Sequence, residues 1–145
     1  NGPEGGGSIT AFYTVLVEGD DPQEPVADAA RAVLDGHLVL SRRLADAGLY
    51  PAIDVEASIS RAMTGVAEER QLKAAQRFRE LYTAYRQNED LISVGAYQRG
   101  SDPLVDQAIA YQPRLRAFLQ QDVSEAVDFE ESRASLLRLI GEGDS

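Results

Sequence analysis

The chain has 145 residues, of which 43% are hydrophobic, and it carries a formal net charge of −10. This length suits one globular domain, or one domain and part of another. The lack of cysteine excludes a disulfide framework, the single histidine (His37) argues against a His-built metal site, and the acidic balance argues against a nucleic-acid partner.

The first predicted element is a strand at Ser8 to Val17, where β-branched and aromatic residues follow a Gly-Pro-rich start. A buried strand this near the first residue needs partner strands that precede it, so we expect the sequence to open inside a domain. Its apolar run, residues 11–17, is far shorter than a membrane span and indicates no transmembrane segment. The polar, turn-rich stretch Glu18 to Pro25 is expected to form a projecting loop.

A one-sided apolar spacing predicts a helix at Val26 to Leu34, and residues 37–40 then read as a short strand. A two-turn helix is predicted from Ser41, as its N-cap, to Gly48. Pro51 to Val55 is expected to form a further short strand that leads towards Arg61.

The second half of the chain is predicted to be helical. Glu68 to Arg86 shows the apolar stripe of a long amphipathic helix. Pro103 and Pro113 are each placed as the first-turn proline of a short helix, and a last helix is expected from about Asp128. Together these segments predict a small helical bundle.

A Walker-type phosphate loop requires a lysine after a glycine-rich turn. Thirteen of the fourteen basic residues are arginine, and the only lysine, Lys73, lies in a helical context. The glycines at 5–7 are followed by a predicted strand and no lysine, so they indicate a surface connection. These residues therefore contain no Walker-type phosphate loop.

Two stretches, GGGSITAFYTVLVEGDD (5–21) and GLYPAIDVEASISR (48–61), resemble the C-terminal part of the type III protein export ATPases, which are related to the catalytic subunit of rotary ATP synthases. The sequence of these stretches is most similar to that of the flagellum-specific ATPase. The resemblance implies an α/β remnant of a RecA-like P-loop ATPase core at residues 1–65, with its P-loop half missing, followed by an all-α C-terminal helical bundle at residues 66–145.

The resemblance also implies site residues. Tyr50 corresponds to the aromatic that stacks on the adenine of ATP, and Phe118 to a second adenine-pocket aromatic, although Val123 stands where rotary enzymes carry another. Arg61 corresponds to an arginine finger that reaches the neighbouring subunit's site. Asp20 and Asp21 correspond to a loop that contacts a central coiled-coil stalk protein. The resemblance implies that the phosphate loop, the magnesium ligand and the general base lie outside these residues. The 145 residues alone are therefore expected neither to bind ATP tightly nor to hydrolyse it.

The implied protein hydrolyses ATP with Mg²⁺ as a homohexamer and energises flagellar or virulence-associated secretion. Its implied partners are the stalk, a peripheral regulator, export-gate components and chaperone-bound export substrates, and its implied location is cytoplasmic, peripheral at the inner-membrane export apparatus. The composition leaves a second hypothesis open, in which the chain is a non-catalytic acidic helical interaction module that docks a partner protein. Nucleotide-dependent assembly of the full-length protein would separate the two.

Overall fold

The structure is a computed structural model that describes Gly6, residues 9–17 and residues 25–141. The chain divides into two compact units, Asn1–Leu34 and Asp35–Ser145. The predicted domain boundary at residue 65 therefore differs from this structural division and stays a prediction.

The first unit contains one regular element among its described residues, helix α1 at Pro25–Val33, which confirms the predicted helix. The strand predicted at residues 8–17 is wrong, because residues 9–17 have no regular secondary structure. Phe12 is 88% exposed and Ile9 is 94% exposed. A strand is stable only when its backbone is hydrogen-bonded to a neighbour, and in the described part of the chain the only sheet has two strands, both of which lie elsewhere.

The second unit begins with an antiparallel pair of strands, β1 at Gly36–Leu40 and β2 at Ile53–Ser60, joined through helix α2 at Arg42–Asp46. The predictions for β1 and α2 are confirmed, and β2 continues five residues beyond the expected end. Gly36 is required at the start of β1, because a Cβ there would meet the Ile59 carbonyl oxygen at 2.6 Å.

The rest of the second unit is helical: α3 at Met63–Val66, α4 at Glu69–Ser93, α5 at Pro103–Leu119 and α6 at Phe129–Gly141. Helix α4 packs against both α5 and α6. The core lies mainly between α4 and α5, and its buried members are Phe78, Leu81, Ala84, Ala108 and Leu115. The general expectation of a helical C-terminal part is confirmed, with the small two-stranded sheet beside it.

The two short helices expected at Pro103 and Pro113 form the single helix α5, with Pro113 inside it. Proline removes one intrahelical hydrogen bond, which costs about 3 kcal/mol. The helix continues because its two flanks are anchored in the core, Ala108 at 0% and Leu115 at 2% exposure. Burial of these flanks against α4 thus offsets the local cost of Pro113. The sequence pattern shows the proline but not this burial, which is why it predicted two helices.

The N-terminus of α5 offers a stability test. Asp102 Oδ1 accepts hydrogen bonds from the backbone N–H of Leu104 (2.8 Å) and Val105 (3.3 Å). We expect Asp102→Ala to lower the free energy of unfolding by about 1 kcal/mol, since two helix-end donors lose their acceptor. Urea denaturation followed by circular dichroism measures this change.

Ser41→Ala is the matched control. Ser41 occupies the N-cap position of α2, but within the described residues its side chain makes no capping hydrogen bond. We therefore expect a smaller loss than for Asp102→Ala. Equal losses from the two substitutions would contradict the assignment of Asp102 as the effective cap.

Candidate functional site

The turn that carries Tyr50 follows the end of helix α2. Gly48 has φ +71°, a conformation that glycine adopts without steric cost, and the Leu49 N–H closes the turn on the Leu44 carbonyl oxygen at 2.9 Å. The Tyr50–Pro51 peptide bond is cis, and Tyr50 is 56% exposed. The turn therefore presents a largely accessible aromatic face on a hydrogen-bonded backbone.

The segment after α5 is attached to this turn. The Gln121 N–H donates to the Tyr50 carbonyl oxygen at 2.9 Å, and the Gln120 side-chain amide lies 3.4 Å from the Gly48 carbonyl oxygen. Residues 120–121 directly follow the stretch that contains Phe118. The structure thus brings the backbone of the two predicted nucleotide-binding segments together.

Phe118 itself packs into the helical core. Its ring centroid lies 5.3 Å from that of Phe78, with the planes inclined by 59°, and its side chain is partly buried. This is a favourable tilted aromatic pair. Val123, which stands where a further aromatic occurs in rotary enzymes, is fully exposed. The antiparallel pair β1–β2 with its connection through α2, residues 36–60, is called the hairpin below. The most accessible aromatic at this end of it is Tyr50.

Arg61 lies immediately after β2, at the opposite end of the hairpin from Tyr50. Its residue is exposed, and its backbone N–H donates to the Asp35 carbonyl oxygen at 2.7 Å. The paired strand β1 has five residues, so at about 3.3 Å per residue the two hairpin ends are roughly 13 Å apart. The structure therefore separates the predicted base-stacking residue from the predicted cation.

Strand β2 contains a bulge at residues 55–58, which we call the β2 bulge. Val39 pairs with Asp54 and His37 pairs with Ile59, so one residue of β1 faces four residues of β2. The bulge lies between the two candidate residues, and Arg61 follows it by three positions. The conformation of the bulge therefore helps to set the position of the Arg61 backbone.

A cavity of about 110 Å³ lies between α2, α4 and α5. Its apolar walls include Leu44, Leu49, Leu115 and Leu119, and Tyr82 contributes a phenol. Burial, followed by the nearby Asp54 and Glu56 carboxylates, raises the pKa of Tyr82 above its ordinary value, so the phenol is neutral at physiological pH. Tyr50 and Phe118 lie outside this lining, and the cavity is distinct from the face that Tyr50 presents.

Comparison with known proteins gives matches on both sides of residues 61–66. Residues 1–60 match the nucleotide-binding domain of the ATP synthase alpha/beta family, and residues 67–138 match the C-terminal domain of the type III secretion ATPase EscN. The chain belongs to the type III protein export ATPases. This confirms the resemblance found in the sequence.

A relative named flagellum-specific ATP synthase, from Pseudomonas aeruginosa, is 60% identical over 145 residues, which is 100% of this chain and 32% of that protein. The assembled ATPase EscN from enteropathogenic E. coli has a TM-score of 0.87 and 40% identity, covering 92% of this chain and 32% of that one. EscN in complex with its central stalk EscO has a TM-score of 0.84 and 39% identity, covering 96% and 33%. This export ATPase chain therefore spans about a third of the length of these relatives.

Asp20 and Asp21 are the acidic residues expected to contact the stalk, and two further acidic residues, Asp102 and Asp106, lie at the start of α5 in this export ATPase chain. Asp20 and Asp21 lie outside the described residues. Asp102 caps α5, and Asp106 organises the preceding loop, accepting from the Tyr97 hydroxyl at 3.0 Å and from the Gly100 N–H at 2.7 Å. The carboxylates of Asp102 and Asp106 thus both bond within the chain.

Sequence reasoning missed Arg79, which contacts the β2 bulge from α4. Its Nη2 donates to the carbonyl oxygens of Glu56 (2.7 Å) and Ser58 (3.3 Å). A main-chain acceptor has no side-chain signature, so the sequence held no direct signal for this contact.

None of the helices in the described residues combines the length and apolar content needed to cross a membrane.

Proposed function

We propose that the chain is the C-terminal segment of an ATP-hydrolysing export ATPase that energises flagellar or related type III protein secretion. The observation that carries the proposal is the placement of Tyr50 and Arg61, both exposed, at opposite ends of one hairpin. This arrangement suits a subunit that contacts two nucleotides, its own through Tyr50 and its neighbour's through Arg61. Family membership and the name of the flagellum-specific relative support this function.

Arg61 supplies a permanent positive charge in a planar fork. A guanidinium donates two parallel hydrogen bonds to phosphate oxygens and stays charged at any physiological pH. An exposed position after a strand lets such a group act across a subunit interface, where it stabilises the negative charge that develops during phosphoryl transfer. We propose this role for Arg61.

Tyr50 supplies a stacking surface for the adenine of the same subunit's nucleotide. Tyr50 is 56% exposed while its backbone is anchored to Gln121, so little conformational freedom is lost on binding. We propose that the segment beginning at Phe118 forms the adjoining wall of the adenine site. Val123 adds no aromatic face there, so Tyr50 carries most of the stacking.

The cofactors and partners follow from the family and are proposed for the whole protein. The bound substrate is ATP with Mg²⁺, whose ligands lie outside these 145 residues. The assembled state and the stalk complex of EscN support a homohexamer with a central coiled-coil stalk, for which Asp20 and Asp21 remain the proposed contacts. A peripheral regulator, export-gate components and chaperone-bound substrates complete the proposed partners, with a cytoplasmic location peripheral to the inner-membrane export apparatus.

The proposed domain division places the end of the ATPase core at residue 65 and the helical domain at residues 66–145. The two family matches, to residues 1–60 and 67–138, are compatible with this boundary. The hairpin would then belong to the core, and α4 would be the first long helix of the helical domain.

Replacement of Tyr50 tests the nucleotide-binding role. In the full-length protein we expect Tyr50→Ala to weaken ATP binding by about tenfold, since stacking of a base on an aromatic ring contributes about 1–3 kcal/mol. Tyr50→Phe should bind as the wild type does, because it keeps the ring. Titration with a fluorescent ATP analogue measures the dissociation constant.

Phe129→Ala is the matched control, since Phe129 is also a mostly exposed aromatic but lies at the start of α6. It should leave ATP binding unchanged. If Tyr50→Ala also bound ATP normally, the base-stacking role would be wrong.

A further inference from the structure

The β2 bulge is held by side chains of strand β2, one of them from Asp54 just before the bulge. Asp54 Oδ1 accepts from the N–H groups of Glu56 and Ala57, each at 3.0 Å, and the Ser58 hydroxyl donates to the Asp54 carbonyl oxygen at 2.6 Å. These bonds replace the strand pairing that the bulge interrupts. The bulge therefore behaves as a small preformed unit and not as a slack loop.

Helix α4 contacts the β2 bulge through two arginine side chains. The Arg79 guanidinium donates through Nη2 to the carbonyl oxygens of Glu56 (2.7 Å) and Ser58 (3.3 Å). Two turns further along the helix, Arg86 lies 3.8 Å from the Glu56 carboxylate. Residues seven apart occupy the same helix face, so one face of α4 contacts the bulge at two points. The bonds from Arg79 are charge-assisted and are the shorter contact.

The β2 bulge lies close to Arg61 along the chain. Only Ile59 and Ser60 separate the bulge from Arg61, and both pair with β1. The Arg61 N–H continues this pairing by its bond to the Asp35 carbonyl oxygen. A displacement of the bulge relative to β1 is therefore transmitted through two paired residues to the Arg61 backbone.

We propose that Arg79 is a positioning residue for Arg61, which fixes the hairpin end against α4 and so sets the reach of the Arg61 guanidinium. This inference rests on the proposed finger role of Arg61. It makes α4 the element through which the position of the helical domain controls phosphoryl transfer in the neighbouring subunit. A movement of about 1 Å at a catalytic group can lower a rate by about a hundredfold, so a contact outside the reaction centre has a measurable effect.

The test uses the full-length protein with Arg79→Met, which keeps most of the aliphatic stem and removes the donors. We expect kcat for ATP hydrolysis to fall roughly tenfold to a hundredfold with KM unchanged, because ATP binding does not depend on Arg79. Arg79→Lys, which retains the charge and a single donor site, should recover part of the loss. Hydrogen–deuterium exchange should be faster at the amides of Glu56, Ala57 and Arg61.

Arg70→Met is the matched control, an exposed arginine on the same helix for which the described residues provide no bonding partner. It should leave kcat and the exchange rates at their wild-type values. Unchanged hydrogen–deuterium exchange in Arg79→Met would show that Arg79 does not stabilise the bulge. Wild-type kcat in Arg79→Met beside an inactive Arg61→Ala would overturn the positioning role and leave the finger role intact. An active Arg61→Ala would instead overturn the finger role on which this inference rests.

Discussion

Arg61→Ala in the full-length protein is expected to lower ATP hydrolysis by about 10³- to 10⁵-fold while leaving the fold intact. The fold should be retained because the side chain is exposed and the hydrogen bond to Asp35 comes from the Arg61 backbone, which alanine preserves. The activity loss corresponds to about 4–7 kcal/mol of transition-state stabilisation. Steady-state ATPase assays and circular dichroism measure the two parts of this expectation.

Two further variants separate charge from geometry. Arg61→Lys should recover only a small part of the activity, because an ammonium group cannot span two phosphate oxygens as a guanidinium does. Arg42→Ala, which removes an exposed arginine from α2, should retain wild-type activity. If Arg61→Ala hydrolysed ATP within a few-fold of the wild-type rate, the finger role would be wrong.

Complementation between two inactive variants shows whether Arg61 acts across an interface. The experiment mixes Arg61→Ala subunits with full-length subunits in which the lysine of the proposed phosphate-binding loop is replaced. In mixed rings, an intact Arg61 on the second variant can face an intact loop on the first, so activity should reappear. A mixture as inactive as its components would indicate that Arg61 acts within its own subunit.

The elements predicted correctly from the sequence are those whose signals are local. The apolar spacing of α1, the short apolar run of β1 and the glycine after α2 each act within a few residues. The prediction for residues 9–17 failed because a strand depends on partners distant in sequence. The break expected at Pro113 failed for a similar reason, since burial of the flanking turns against α4 outweighs the local cost of proline.

The candidate site shows the same division. Tyr50 and Arg61 were identified by resemblance, and the structure adds their exposure and their separation along the hairpin. Phe118 was assigned to the adenine pocket, while the structure adds its packing on Phe78. Arg79 could not be found from the sequence, because its acceptors are backbone carbonyl oxygens and depend on how α4 meets the β2 bulge.

The second large effect is expected in the core. Leu81 on α4 is 1% exposed and packs among Phe78, Ala84, Ala108 and Leu115. Leu81→Ala should lower the free energy of unfolding by about 2–5 kcal/mol, which combines the lost burial of the leucine side chain with the cavity it leaves. Because domains are commonly stable by only about 5–15 kcal/mol, this loss is a large share of the total.

The measurement is urea denaturation of the 145-residue chain followed by helical circular dichroism, where the midpoint should fall by about 1 M or more. Leu91→Ala is the control, since Leu91 lies on the same helix but is 49% exposed, so helix propensity changes equally in both variants while burial does not. The difference between the two isolates the contribution of packing between α4 and α5. If Leu81→Ala and Leu91→Ala shifted the midpoint equally, that interface could not be the core on which the position of α4, and with it Arg79, depends.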